Sequence, residues 1–76
     1  MIQTEENILF MAFRYALGRK TYAVYEVTEC IKKNWGNLSD NTKSLIKKEI
    51  KEAIKNGKAG DKNIDVPLWK SILELK

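Results

Sequence analysis

The sequence predicts an all-α protein, a single small domain of about four helices spanning residues 1–76. Three observations carry that expectation. Apolar residues recur at intervals of three and four in four separate segments, the spacing of one helix face. Each segment follows a residue suited to capping a helix (Thr4, Thr21, Ser39 or Asp40, and Asp65), and Gly18 and Gly57 stand after the first and third. With 76 residues, 43% hydrophobic and 32% charged, the chain has the composition of a folded domain and the length for one small core.

Helix one is expected from Thr4 to Leu17, because a hydroxyl caps free amides and the acidic Glu5 and Glu6 suit the positive end of a helix. From Ile8 to Leu17 every side chain except Arg14 is apolar or aromatic. A helix apolar nearly all round belongs at the centre of the fold. Gly18 is placed to end it in a left-handed conformation. Helix two should cover about Tyr22 to Asn34, capped by Thr21, with Val24, Val27, Cys30 and Ile31 on one face. Its β-branched residues lower helix propensity and leave a short strand or turn at 21–25 as the alternative. Helix three lies between Ser39 or Asp40 and Gly57, with Ile46, Ile50, Ala53 and Ile54 as its apolar stripe. Asp65 and Pro67 open the last helix, whose Leu68, Trp69, Ile72 and Leu73 face inward. Phe10, Phe13, Tyr15, Tyr22 and Tyr25 gather around the first turn and are expected mainly in the core, Tyr25 being the most exposed. Trp35 is either a lid on the core or an exposed anchor.

The residue inventory argues against an enzyme. Without histidine there is no Cys–His or Ser–His nucleophile pair, and one cysteine cannot complete a structural zinc site. No catalytic residues, metal ligands or cofactor are therefore expected. Gly18 to Thr21 resembles the end of a phosphate-binding loop, yet Phe13 occupies the place of the first glycine and Arg19 separates Gly18 from Lys20. Glu5 with Glu6, Glu26 with Glu29 and Glu49 with Glu52 are close in sequence, but the last pair sits on the solvent side of an amphipathic helix. The single Cys30 forms no internal disulfide and fits a reducing cytoplasm. The longest apolar run stops at Arg14, far short of the roughly 20 residues of a membrane span.

Two groups of residues are candidates for binding. Arg14, inside the apolar segment, must reach solvent along its stem, pair with Glu26 or Glu29, or bind something. With Arg19, Lys20, Thr21 and Tyr22 it would make a cationic corner at the start of helix two, suited to a phosphate or a carboxylate of a partner. The second candidate is the basic face of helix three, Lys47, Lys48, Lys51 and Lys55, which is either a solvated face or a surface for backbone phosphates. Lys48 and Glu52 have the spacing of a helical ion pair.

The net charge of +4 is concentrated in residues 38–62, which hold seven basic and four acidic side chains, so acidic partners are favoured over cationic ones. The motif FRYALGRKTYAV, followed by NW, IKKEIKEAI and PLWKSIL, resembles small proteins encoded by phages and prophages along nearly the whole chain. That resemblance implies a non-enzymatic accessory protein of the host-cell cytoplasm, acting stoichiometrically against a host defence system, as anti-CRISPR and nucleotide-sequestering proteins do. A basic chain is unsuited to imitating DNA, so inhibition would run through contact with a host protein or nucleoprotein complex. The alternatives are a basic helical nucleic-acid-binding accessory protein, with nucleic acid or a nucleotide as ligand, and a structural phage component that self-associates into a homo-oligomer.

Overall fold

The computed structural model describes residues 2–19, 22–57 and 64–76. Four α-helices follow one another: α1 Gln3–Leu17, α2 Tyr22–Asn34, α3 Asp40–Gly57 and α4 Val66–Leu73, with a 3-10 turn at Trp35–Asn37 between α2 and α3. No strand occurs among the described residues. Tyr22 to Tyr25 are already helical, so the strand or turn allowed by their branching is not adopted. Burial of Val24, Thr28 and Ile31 along one face decides the matter, since tertiary packing outweighs propensities of a few tenths of a kcal/mol.

The helices form a ring in which α1 and α4 each pack against both α2 and α3. Phe13, Val24, Ile31, Ile46, Ile50, Trp69 and Ile72 fill its centre, each essentially without solvent exposure. Phe13 and Trp69 join α1 to α4 across the middle with ring centroids 5.4 Å apart, nearly edge to face. Trp35 is a lid and not an anchor: it is buried at the turn after α2, beside the equally buried Leu38. The one buried hydroxyl of α2, Thr28, donates to the carbonyl of Tyr25 at 2.8 Å, which removes the cost of leaving it unpaired.

The helix ends correct three expectations. The α1 helix begins one residue before Thr4, and its first turn is closed by Glu5, whose carboxylate accepts from the Ile2 N–H at 3.3 Å. Gly18 sits at φ −97° and not in the left-handed region; the helix ends instead by the Arg19 N–H donating to the Ala16 carbonyl at 3.0 Å. The N-caps of α3 and α4 are as the sequence suggests, whereas Gly57, expected just past helix three, is the last residue of α3. Ser39 Oγ accepts from the Thr42 N–H at 3.3 Å at the start of α3, and Asp65 Oδ1 accepts from the Leu68 N–H at 3.3 Å at the start of α4. The Thr21 cap lies outside the described residues.

The α1 helix is not the all-round apolar centre that its composition implies. Only Glu6, Leu9, Phe13 and Ala16 are buried along it, while Ile8, Met11 and Tyr15 are 61%, 69% and 66% exposed. In a ring of four helices each member packs mainly on two neighbours, so among the described residues the Ile8, Met11 and Tyr15 side of α1 is left uncovered.

Candidate binding surface

Ile8, Met11 and Tyr15 follow each other at spacings of three and four and therefore form one exposed row along α1. Beside the row, α1 and α2 diverge into an open groove of about 490 Å³. Ile8, Leu9, Ala12, Val27 and Cys30 give it an apolar floor, and Glu5 and Glu26 stand at its edges. The lone thiol of Cys30 is exposed there. At the C-terminal end of the row the Arg19 guanidinium lies over the Tyr15 ring, 4.1 Å from its centroid. On α2, Tyr22 and Tyr25 are 76% and 51% exposed with ring centroids 6.2 Å apart, and Tyr25 lines a second groove, on the α4 side of that helix, with Lys32, Asp65, Pro67 and Leu68. Tyr15 and Tyr22, expected mainly in the core, are outside and more exposed than Tyr25, the tyrosine expected to be the most exposed, because α1 and α2 turn Leu9, Phe13, Ala16, Val24 and Ile31 inward from their apolar positions.

The cationic corner is divided. Arg14 turns away to α3, where its Nε stands 3.4 Å from the Glu49 carboxylate, and its guanidinium passes over Phe10 at 5.9 Å. Its partner is therefore neither Glu26 nor Glu29. Charges placed a helix apart in sequence meet because α1 and α3 are neighbours in the ring. Arg19 and Tyr22 remain on the exposed surface, while Lys20 and Thr21 lie outside the described residues.

The basic face of α3 is divided as well. Lys48, Lys51 and Lys55 are exposed. Lys47 is half-buried: its ammonium donates to the carbonyl of Leu75, just past the end of α4, and lies 5.6 Å from the Trp35 ring centroid. That position suits a cation, since carbonyls at a helix C-terminus carry partial negative charge. Among the described residues the ion pairs are Arg14 with Glu49 and Lys32 with Glu29; Lys48 and Glu52 do not form one.

None of the neighbouring carboxylates works as a pair. Glu5 faces the groove, Glu29 meets Lys32 at 3.8 Å and Glu49 meets Arg14. Glu6 has a task that the sequence does not disclose. Its side chain leaves α1 and reaches the N-terminus of α3, where it accepts from Ser39 Oγ at 2.6 Å, from Thr42 Oγ1 and, at 3.4 Å, from the Ser39 N–H. Those donors, the Ser39 hydroxyl first and Thr42 next, hold the carboxyl below the usual glutamate range. The residue is 4% exposed, and its carboxylate ties α1 to the start of α3.

Among the described residues no three His, Cys, Asp or Glu side chains group as metal ligands, and no helix is long and apolar enough to cross a membrane. No family model, curated protein or solved structure matches the chain.

Proposed function

We propose that this protein acts by binding and not by catalysis, that its contact surface is the apolar, tyrosine-bearing side of α1 and α2, and that its role is stoichiometric inhibition of a bacterial defence system during phage infection. One observation carries the choice of surface. Seven large hydrophobic side chains are exposed among the described residues, and six of them fall between Ile2 and Tyr25, leaving only Leu45 elsewhere. Scattered exposure is ordinary in soluble proteins, but a row of apolar side chains such as Ile8, Met11 and Tyr15, with further exposed aromatics on the next helix, characterises interaction sites. Tyr15, Tyr22, Tyr25 and Arg19 are also the residue types that dominate binding energy at protein interfaces. Entry into a host-defence complex rests on the resemblance of the sequence to phage-encoded proteins.

A second reading, contact with nucleic-acid backbone, draws on Lys48, Lys51 and Lys55, which stand exposed on one sector of α3. It is the weaker one, because Lys47, the fourth member of that face, is engaged inside the fold.

The two readings separate in one set of measurements. Tagged protein is used to capture partners from lysate of a defence-carrying host, with and without nuclease, beside Tyr22→Ala/Tyr25→Ala and Lys48→Glu/Lys51→Glu/Lys55→Glu variants. The expected result is a partner that survives nuclease, binds the lysine variant, and is lost with the tyrosine variant, together with rescue of phage plating by every form except the tyrosine variant. Capture abolished by nuclease, or by the lysine changes alone, would favour the nucleic-acid reading instead.

A further inference from the structure

We propose that two copies of this protein pair through α1, antiparallel, about a two-fold axis between Met11 and Ala12. The proposal rests on the reading of the α1–α2 side as a binding surface and names what covers its α1 part. A two-fold interface must be self-complementary: each residue on one subunit meets a fixed counterpart on the other. The exposed row of α1 has that property. Its centre is Met11 and Ala12, with Ile8 one turn before and Tyr15 one turn after. Antiparallel pairing therefore sets Ile8 against Tyr15 of the partner subunit at both ends of the contact.

The charges discriminate between orientations. Glu5 stands at the N-terminal end of the row beside the groove, and Arg19 is held at the C-terminal end by its stacking on Tyr15. In the antiparallel arrangement each Glu5 approaches Arg19 of the partner subunit, giving two opposite-charge contacts at the rim of an apolar centre. In a parallel arrangement Glu5 meets Glu5 and Arg19 meets Arg19, and both contacts repel. Arg14, the one charge within the apolar segment, is drawn off to Glu49 and leaves the row free of charge between its ends. The groove adds room for the partner's side chains, with Val27 and Cys30 as its far wall. Tyr22 and Tyr25 lie outside the paired row, so each copy keeps an aromatic surface for another protein.

Sedimentation velocity of the full chain across a wide concentration range tests the pairing. The wild type is expected to be a dimer that dissociates on dilution. Met11→Glu, placed at the axis, and Ile8→Gln, placed near the ends, should both be monomers with unchanged helical circular dichroism. Arg19→Glu should weaken dimerisation on the order of tenfold, because two attractive rim contacts become repulsive, and adding Glu5→Lys should recover most of that loss. In a Cys30→Ser background, Met11→Cys should form an intersubunit disulfide on mild oxidation, and Tyr22→Cys should not. A wild type that stays monomeric at every concentration overturns the proposal, as does a dimer that Met11→Glu leaves intact. The reading of Tyr22 and Tyr25 as a partner surface would survive either result, because it is decided by capture and plating with the tyrosine variant.

Discussion

Phe13 and Met11 stand two residues apart on one helix, in one unbroken apolar segment, and the structure gives them opposite energetic weights. Phe13 is fully buried, with its ring 5.4 Å from Trp69 and 5.7 Å from Phe10, whereas Met11 is 69% exposed. Phe13→Ala removes a buried ring and leaves a void between α1 and α4, a change that costs about 3–5 kcal/mol. A domain of 76 residues has a total stability of about 4–11 kcal/mol at ordinary values per residue, so this substitution removes about a quarter of it or more. At 4–8 °C per kcal/mol, the midpoint should fall by roughly 12–40 °C. Met11→Ala deletes a side chain that already faces water and introduces a better helix former, so its effect should stay within about 0.5 kcal/mol. Urea and thermal unfolding followed by circular dichroism, in protein dilute enough that self-association contributes nothing, measures both. A Met11→Ala protein destabilised as much as Phe13→Ala, or a Phe13→Ala protein within about 1 kcal/mol of the wild type, would refute the orientation of α1 described above.

Glu6 sets an acid limit. Its folded-state pKa lies below its unfolded value, so its contribution is fully present above the ordinary glutamate pKa of about 4.3 and is lost as pH falls from there through the lowered value. Stability measured against pH should decline over that window in the wild type and decline less in Glu6→Gln; equal slopes would contradict the tie to Ser39 and Thr42. Lys47→Met should lower stability by about 1–2 kcal/mol, since it removes a charged donor from the Leu75 carbonyl, while Lys51→Met should change it by less than about 0.5 kcal/mol. Thermal melts of the two variants side by side check this, and equal midpoints would count against it. Arg14→Met should stay within about 0.5 kcal/mol of the wild type, because a pair whose arginine side chain is 64% exposed is well screened. A melting midpoint lowered by more than about 5 °C would show that the Glu49 contact matters far more than its exposure suggests.

Helix number, order and most boundaries were legible because they depend on signals a few residues long. Ser39 and Asp65 cap the helices they precede, and Ile46 and Ile50 are buried as their spacing implies. What escaped the sequence depends on which helices become neighbours. Composition cannot say which half of α1 finds a partner, so Ile8 and Tyr15 looked as buried as Phe13. Arg14 had two acidic residues in the adjacent helix, but the ring brings α3 to its side and Glu49 with it. The same applies to Lys47, which reads as one more exposed lysine until α4 is laid across the end of its reach. Of the cationic corner, Arg19 and Tyr22 stay on the surface, and only three dimensions reveal that Tyr15 underlies Arg19.

The side chain that completes the start of α3 is attached to α1, 33 residues away. The helix is consequently not a portable unit. Moved into another scaffold, or prepared as a peptide, it would keep Ser39 and lose the anion that faces its positive end. Position 6 is correspondingly narrow in what it accepts. Aspartate carries the charge on a stem one methylene shorter, and glutamine has the reach without the charge. Three positions, 6, 39 and 42, thus vary as one word and not as three letters. A library that randomises α3 while holding α1 fixed would find its tolerated residues at Ser39 and Thr42 dictated by a residue outside the randomised segment.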